Sequence, residues 1–240
     1  MRAIRAGARH ILVVSFFAAA VLVVPSRAWA QDSSPAQDTS QAPVQVSPVF
    51  AQHLNEFGVW GSVSVNSPDV YGSRAHGDFG ALGFRYARVL SASRHRVIEY
   101  TFDVLPAEVM HEYSYTPCTF DSGGQTISTH CVTGYQTVYA GGIAPFGWKF
   151  NFLPEHRLQP FAGLVGGMIG SVARIPTDVP GGALFNFTAE WQLGFERFNA
   201  SRDRAWIVGY KLEHISDAFR TSVNPGIDLN VVFVGYSFFK

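Results

Sequence analysis

Beyond about residue 56 the chain alternates apolar and polar side chains with a period of two, and helical periodicity is nearly absent. The alternation recurs in eight stretches: 57–66, 79–90, 95–105, 134–152, 159–171, 185–198, 204–216 and 228–239. A β-strand sends successive side chains to opposite faces, so each stretch predicts a strand with one apolar and one polar side. The sixth shows it most plainly. Phe185, Phe187, Ala189, Trp191, Leu193 and Phe195 share one face, and Asn186, Thr188, Glu190, Gln192 and Glu196 share the other. The third sets Ile98, Tyr100, Phe102 and Val104 against Glu99, Thr101 and Asp103. In the fourth, Ala144-Pro145 interrupts the pattern. Proline lacks an N–H for the ladder, so a bulge or break is expected there.

Two architectures use such strands. A soluble barrel turns the apolar face inward, whereas a membrane barrel turns it outward against lipid. The polar faces favour the second. Arg85, Glu99, Asp103, Lys149, Glu190, Glu196, Lys211 and Glu213 carry both signs over several strands, so they can pair inside a narrow barrel. The strands are around ten residues or longer, enough to cross hydrocarbon when tilted. Gap lengths agree. They are long at 67–78, 106–133, 172–184 and 217–227, and short at 91–94, 153–158 and 199–203. Long outer loops alternating with short periplasmic turns are the mark of bacterial outer-membrane barrels. The expected fold is therefore all-β: an eight-stranded antiparallel transmembrane β-barrel over residues 49–240, in a Gram-negative outer membrane, with both ends in the periplasm.

The N-terminal sequence supports export. Arg2, Arg5 and Arg9 precede an apolar run from Ile11 to Val24, and Ala28-Trp29-Ala30 ends it with the small residues that a signal peptidase reads. Residues 1–30 are thus expected to be a signal peptide. Residues 31–48, rich in Ser, Gln, Asp and Pro, cannot bury enough surface to offset their ordering entropy, and are expected to form a flexible periplasmic leader. The formal net charge is +0, which argues against nucleic acid as a partner. Aromatic side chains (20 Phe, 9 Tyr and 5 Trp) suit lipid contact and interfacial girdles. The two cysteines, Cys118 and Cys131, are expected to form a disulfide in the oxidising periplasm. The ring would stabilise the chain by roughly 3 kcal/mol on chain-entropy grounds.

One departure from the pattern carries chemistry. The apolar face of the seventh stretch, Trp206, Val208, Tyr210 and Leu212, continues by twos into His214 and Ser216. The eighth, read inward from Asp228 through Asn230, Val232, Val234, Tyr236 and Phe238, puts Asp228 on the same face at the same outer end. Barrel stability does not call for His, Ser and Asp on a lipid-facing surface. Nucleophilic catalysis does. A serine hydroxyl needs a base to take its proton, and a carboxylate holds the imidazole in the required tautomer. The substrate would be an ester in the outer leaflet. The structural alternative is ordinary: a histidine near a strand end is usually an interfacial polar residue, and Ser and Asp are common at turns.

The stretch His214-Ile215-Ser216, with Asn224-Pro225-Gly226 and then Asp228, resembles the C-terminal hairpin of the outer-membrane lipid A 3-O-deacylases, the PagL family. The resemblance implies a small eight-stranded barrel that hydrolyses the acyl chain ester-linked at position 3 of the lipid A glucosamine. It implies Ser216 as nucleophile, His214 as base and Asp228 as the orienting acid. The chain departs from the family pattern twice. Asp228 stands where Glu is common, and Asp217 stands where an Asn follows the serine. A carboxylate at Asp217 would repel a developing oxyanion unless turned away. Asp217, Asn224 and Gly226 are therefore the positions to examine for substrate contact and oxyanion donors. No metal or cofactor is implied, the partner is lipid A or lipopolysaccharide of the outer leaflet, and a homodimer is compatible with the reading. The alternative function is a non-catalytic barrel for adhesion or envelope integrity, working through its long loops. A small pore is disfavoured because side chains fill an eight-stranded interior.

Overall fold

A computed structural model describes residues 55–64, 70–72, 77–122, 125–177, 182–221 and 226–240, with the side chains of 113–133 outside the description. The expected signal peptide, the leader, and Asn224 lie outside the described residues. So does any bond between Cys118 and Cys131.

The eight strands are β1 (Asn55–Ser64), β2 (Gly77–Ala92), β3 (Arg96–Ser122), β4 (Gln125–Phe152), β5 (Leu158–Ile175), β6 (Ala183–Phe198), β7 (Arg204–Ser216) and β8 (Ile227–Phe239). Each pairs antiparallel with its sequence neighbours, and β1 pairs with β8, closing the barrel. The closure runs from Glu56 opposite Phe239 to Ser64 opposite Val231. Below it, the Asn55 and Lys240 backbones exchange two 2.8 Å hydrogen bonds. No open edge is left for lipid, which could not satisfy one.

The expected facing is observed. Phe57, Phe84, Trp148, Leu193, Trp206 and Val234 are exposed on the outside, and all eight charged residues assigned to the interior are buried. They pair as expected. Arg85 holds Asp103 through two bonds of 2.8 and 2.7 Å across the β2–β3 ladder. Lys149 sits among three carboxylates, 2.5 Å from Glu56 and 2.7 Å from both Glu99 and Glu196. Lys211 lies 3.1 Å from both Glu190 and Glu213, with its ammonium 4.7 Å from the centre of the Trp60 ring. Apolar layers close both ends. Val97, Phe198, Ala205 and Phe239 form one near the short turns, and Ile215, Ile227, Leu229 and neighbours form the other beneath the outer loops.

Two features differ from the expectation. The gap 106–133 is not a loop. β3 and β4 continue through it in one ladder as far as Ser122 opposite Gln125. With 27 and 28 residues against the roughly 10 that hydrocarbon requires, this hairpin extends well past the membrane. Its composition of Thr, Tyr, Val and Ile suits a strand. Without a lipid face, however, the outer part has no reason to alternate, so periodicity did not reveal it. The register seats Cys118 opposite Thr129 and Cys131 opposite Thr116. The second feature is a bulge where Pro145 was expected to disturb the ladder: the β4–β5 register shifts between Ile143 and Phe146. The Tyr100 hydroxyl donates to the freed Pro145 carbonyl at 2.5 Å.

Removing the cation from the most crowded cluster should expose what it neutralises. Lys149→Met would leave three buried carboxylates without their shared partner, at a cost of about 3–5 kcal/mol. Denaturant unfolding of the refolded barrel should show a clearly lowered midpoint, and a midpoint equal to wild type would refute this account of the interior.

Candidate active site at the outer end of β7 and β8

The hairpin register decides which of the three polar residues meet. His214 lies directly opposite Asp228, and Ile215 opposite Ile227. Ile215, Ile227 and Leu229 point inward and pack in one apolar cluster, so the alternate positions His214, Ser216 and Asp228 face outward. His214 Nδ1 is 2.6 Å from Asp228 Oδ1. With a carboxylate there, Nδ1 carries the proton and Nε2 is left as the basic nitrogen. Ser216 follows two residues along the same face. Among the described hydrogen bonds none joins it to His214, so a side-chain rotation must close that contact, a common looseness in unliganded sites.

Asp228 is completely buried although its strand position faces outward. Its cover comes from the other end of the chain. The backbone N–H groups of Val70, Tyr71 and Gly72, in the β1–β2 connection, all donate to Asp228 Oδ2; those of Val70 and Gly72 do so at 2.7 and 2.8 Å. One carboxylate oxygen therefore holds the imidazole and the other is held by a three-amide nest. The side chain, a methylene shorter than Glu, reaches His214 because the two residues are direct cross-strand partners.

Two glycines make this crossing possible. A Cβ on Gly72 would stand 2.7 Å from the Gly226 carbonyl oxygen. Gly226 itself has φ +54°, and a Cβ there would stand 2.8 Å from His214 Cε1. Only a residue without a side chain fits between the loop and the imidazole. Tyr71 then lies edge-on to His214 at 6.2 Å and stacks on Trp191 of β6 at 5.6 Å. Across the ladder from His214 is Ala189, flanked on its face by Phe187 and Trp191. The imidazole thus has a small side chain directly across the ladder and the Tyr71 and Trp191 rings beside it.

Asp217 takes no part in this arrangement. It is buried, and its carboxylate accepts from the Phe219 N–H at 2.9 Å, the Thr221 N–H at 2.8 Å and the Thr221 hydroxyl at 2.6 Å. Burial works against its ionisation, but these bonds prevail and hold the carboxyl below the ordinary aspartate value. The same bonds stabilise Ala218 and Phe219 in left-handed conformations, with φ of 54° and 60°. Arg220 pins the turn to β6. Its Nε donates to the Asp217 carbonyl at 3.0 Å, and its guanidinium lies 5.1 and 5.4 Å from the Phe185 and Phe187 rings. The feared carboxylate is thus turned away from Ser216 and spent on loop structure.

His214, Asp228 and Gly226 are brought together, Ser216 stands two residues along the same face, and Asp217 serves the turn. Val70, Tyr71, Gly72, Ala189 and Trp191 were not legible as site residues, because their proximity depends on β1 closing against β8 and on the β6–β7 register.

A closed eight-stranded barrel with an apolar exterior, and a His–Asp pair near a serine at the end away from the short turns, is the architecture of an outer-membrane barrel protein. The chain belongs to the lipid A 3-O-deacylase (PagL) family, whose model matches residues 56–237, and it is a hydrolase of the Gram-negative outer membrane. Among solved structures, the crystal structure of the outer membrane enzyme PagL is similar, with a TM-score of 0.52 and 15% identity over 74% of this chain and 97% of that one. Neisserial surface protein A (NspA) gives a TM-score of 0.42 at 10% identity, over 76% of this chain and 96% of its own. No curated protein sequence matches the chain.

The amide nest is open to direct measurement. Hydrogen bonds to a charged acceptor contribute about 1.5–3 kcal/mol each. In Asp228→Ala, amide exchange at Val70, Tyr71 and Gly72 should accelerate at least tenfold while the β-strand amides keep their protection. Unchanged exchange at those three amides would show that the carboxylate does not anchor the loop.

Proposed function

We propose that the protein removes the acyl chain ester-linked at position 3 of lipid A, with Ser216 as nucleophile, His214 as general base and Asp228 as the group that orients it. The observation that carries the proposal is the 2.6 Å His214–Asp228 contact on the lipid-facing side of the barrel, with Ser216 two residues along. The site would lie level with outer-leaflet ester linkages, and Ala189, the small residue between Phe187 and Trp191, would leave room for the start of the acyl chain.

In the proposed reaction the Ser216 Oγ attacks the ester carbonyl and its proton passes to His214 Nε2. The tetrahedral intermediate collapses, and the sugar oxygen leaves with that proton as the 3-hydroxyl. Water, deprotonated by His214, then attacks the acyl-serine, and its proton returns to Ser216 as the free fatty acid departs. Asp228, fixed by the nest, keeps Nδ1 protonated through both halves. Its full burial makes its attraction for the imidazolium stronger than in water. The backbone N–H groups of Ala218 and Gly226 are the donors we assign to the oxyanion, since those of Phe219, Arg220 and Thr221 already donate to Asp217.

Purified enzyme should release a 3-hydroxy fatty acid from lipopolysaccharide, and Ser216→Ala should reduce the rate by at least about 10³-fold. Wild-type release by Ser216→Ala would sink the mechanism. The proposal also includes export after cleavage at Ala30 and a Cys118–Cys131 disulfide. Intact-mass measurement of the protein from membranes should give a chain beginning at Gln31, two hydrogens lighter than the fully reduced form. A different start, or a mass gain from two reactive thiols on alkylation without reductant, would refute the respective part.

A further inference from the structure

At the opposite end of the barrel lies a second site, unrelated to the chemistry at Ser216. The turns 153–157 and 199–203 and the ends of β6, β7 and β8 surround a cavity of about 150 Å³. Three arginines line it: Arg157, Arg197 and Arg204. Trp206 and Tyr236 form its upper wall, with their rings in an edge-to-face contact at 4.9 Å.

The placement of Arg197 is the telling feature. By strand parity it continues the lipid-facing row Trp191, Leu193 and Phe195, and it is exposed, with Leu158 and Trp206 as its cross-strand neighbours. A cation at this level of a lipid face lies among lipid headgroups, where it costs little and can meet an anionic group. Among the described residues no carboxylate lies within ion-pair distance of Arg157 or Arg197. Arg204 has Asp203 Oδ2 at 3.7 Å, with Asp203 Oδ1 held by Asn199 at 2.7 Å and by Ser201, so the cavity's unneutralised charge comes from Arg157 and Arg197. Glu155 pairs with Arg94 at 3.0 Å, outside the cavity. Arg157 is fixed at one end, its Nε donating to the Phe198 carbonyl at 3.2 Å, and the remainder of its guanidinium is left for a ligand.

We infer that this cavity binds the phosphodiester headgroup of an anionic glycerophospholipid from the periplasmic leaflet. Guanidinium groups match the geometry of phosphate oxygens and donate to them in pairs. Cavity volume and donor set suit one phosphate group. The aromatic wall above it leads to the exposed apolar surface of Val208 and Val234, along which acyl chains would lie. A free phosphate ion would satisfy the arginines but would leave the adjoining aromatic wall without a role. The barrel would thereby be fixed at its inner edge by a retained lipid while its outer edge addresses a different lipid.

Native mass spectrometry of the full-length protein released from detergent micelles tests this, with dioleoylphosphatidylglycerol, dioleoylphosphatidylcholine and inorganic phosphate as probes. One phosphatidylglycerol should be retained in preference to phosphatidylcholine, and inorganic phosphate at equal concentration should not displace it. A charge near such a headgroup is worth about fivefold in affinity. Arg197→Gln should therefore weaken retention about fivefold, and Arg157→Gln with Arg197→Gln about twenty-five-fold. Arg94→Gln, outside the cavity, should leave it unchanged. All variants should release fatty acid from lipopolysaccharide at the wild-type rate. Arg197 is exposed and has no described hydrogen bond, so its single variant keeps the test open if the double variant fails to fold. Equal retention by wild type and Arg197→Gln, or displacement by inorganic phosphate, would overturn the inference.

Discussion

A backbone N–H or C=O left unpaired in hydrocarbon costs several kcal/mol, and the architecture follows from avoiding that cost. Eight strands satisfy one another only if the last returns to the first, so β8 lies against β1. That closure carries a second consequence. It brings the β1–β2 connection beside the start of β8, 156 to 158 residues away in sequence, and aims three successive N–H groups at Asp228. The bond pattern that lets the chain live in lipid is also what holds the acid of the proposed site.

The barrel inverts the usual distribution of polarity. Lipid accepts the Phe, Leu, Val and Trp of the outer faces, so charge must collect inside, where it survives only when neutralised at close range. Lys149 among Glu56, Glu99 and Glu196, and Arg85 against Asp103, meet that condition. The same inversion makes the site conspicuous. A histidine and a serine on the lipid side of a strand have neither a charged interior to balance nor bulk water to face. The complete burial of Asp228 is possible because its four hydrogen bonds replace water.

The His–Asp pair was legible because both residues keep the parity of their strands and because a short hairpin allows few registers. The direct opposition of His214 and Asp228 was not, since it depends on where the β7–β8 connection turns. Asp217 illustrates the limit better. Its identity raised an electrostatic objection, and only the fold of the following turn, in which Phe219 and Thr221 take up both carboxylate oxygens, removes it. The outer part of the β3–β4 hairpin was missed for a related reason. Alternation reports a boundary between two solvents, and beyond the membrane both faces meet water.

The sequence by itself determined the class of fold, the number of strands, which face of each meets lipid, and which polar residues break the apolar face of the last hairpin. These are local properties, encoded in a two-residue period and in gap lengths. Tertiary structure decided the rest: the amide nest on Asp228, the Gly72–Gly226 approach, the Tyr71–Trp191 wall and the basic cavity beneath Trp206. Each joins residues from distant strands, and their separation in space is set by barrel closure and ladder register, which no short stretch of sequence contains.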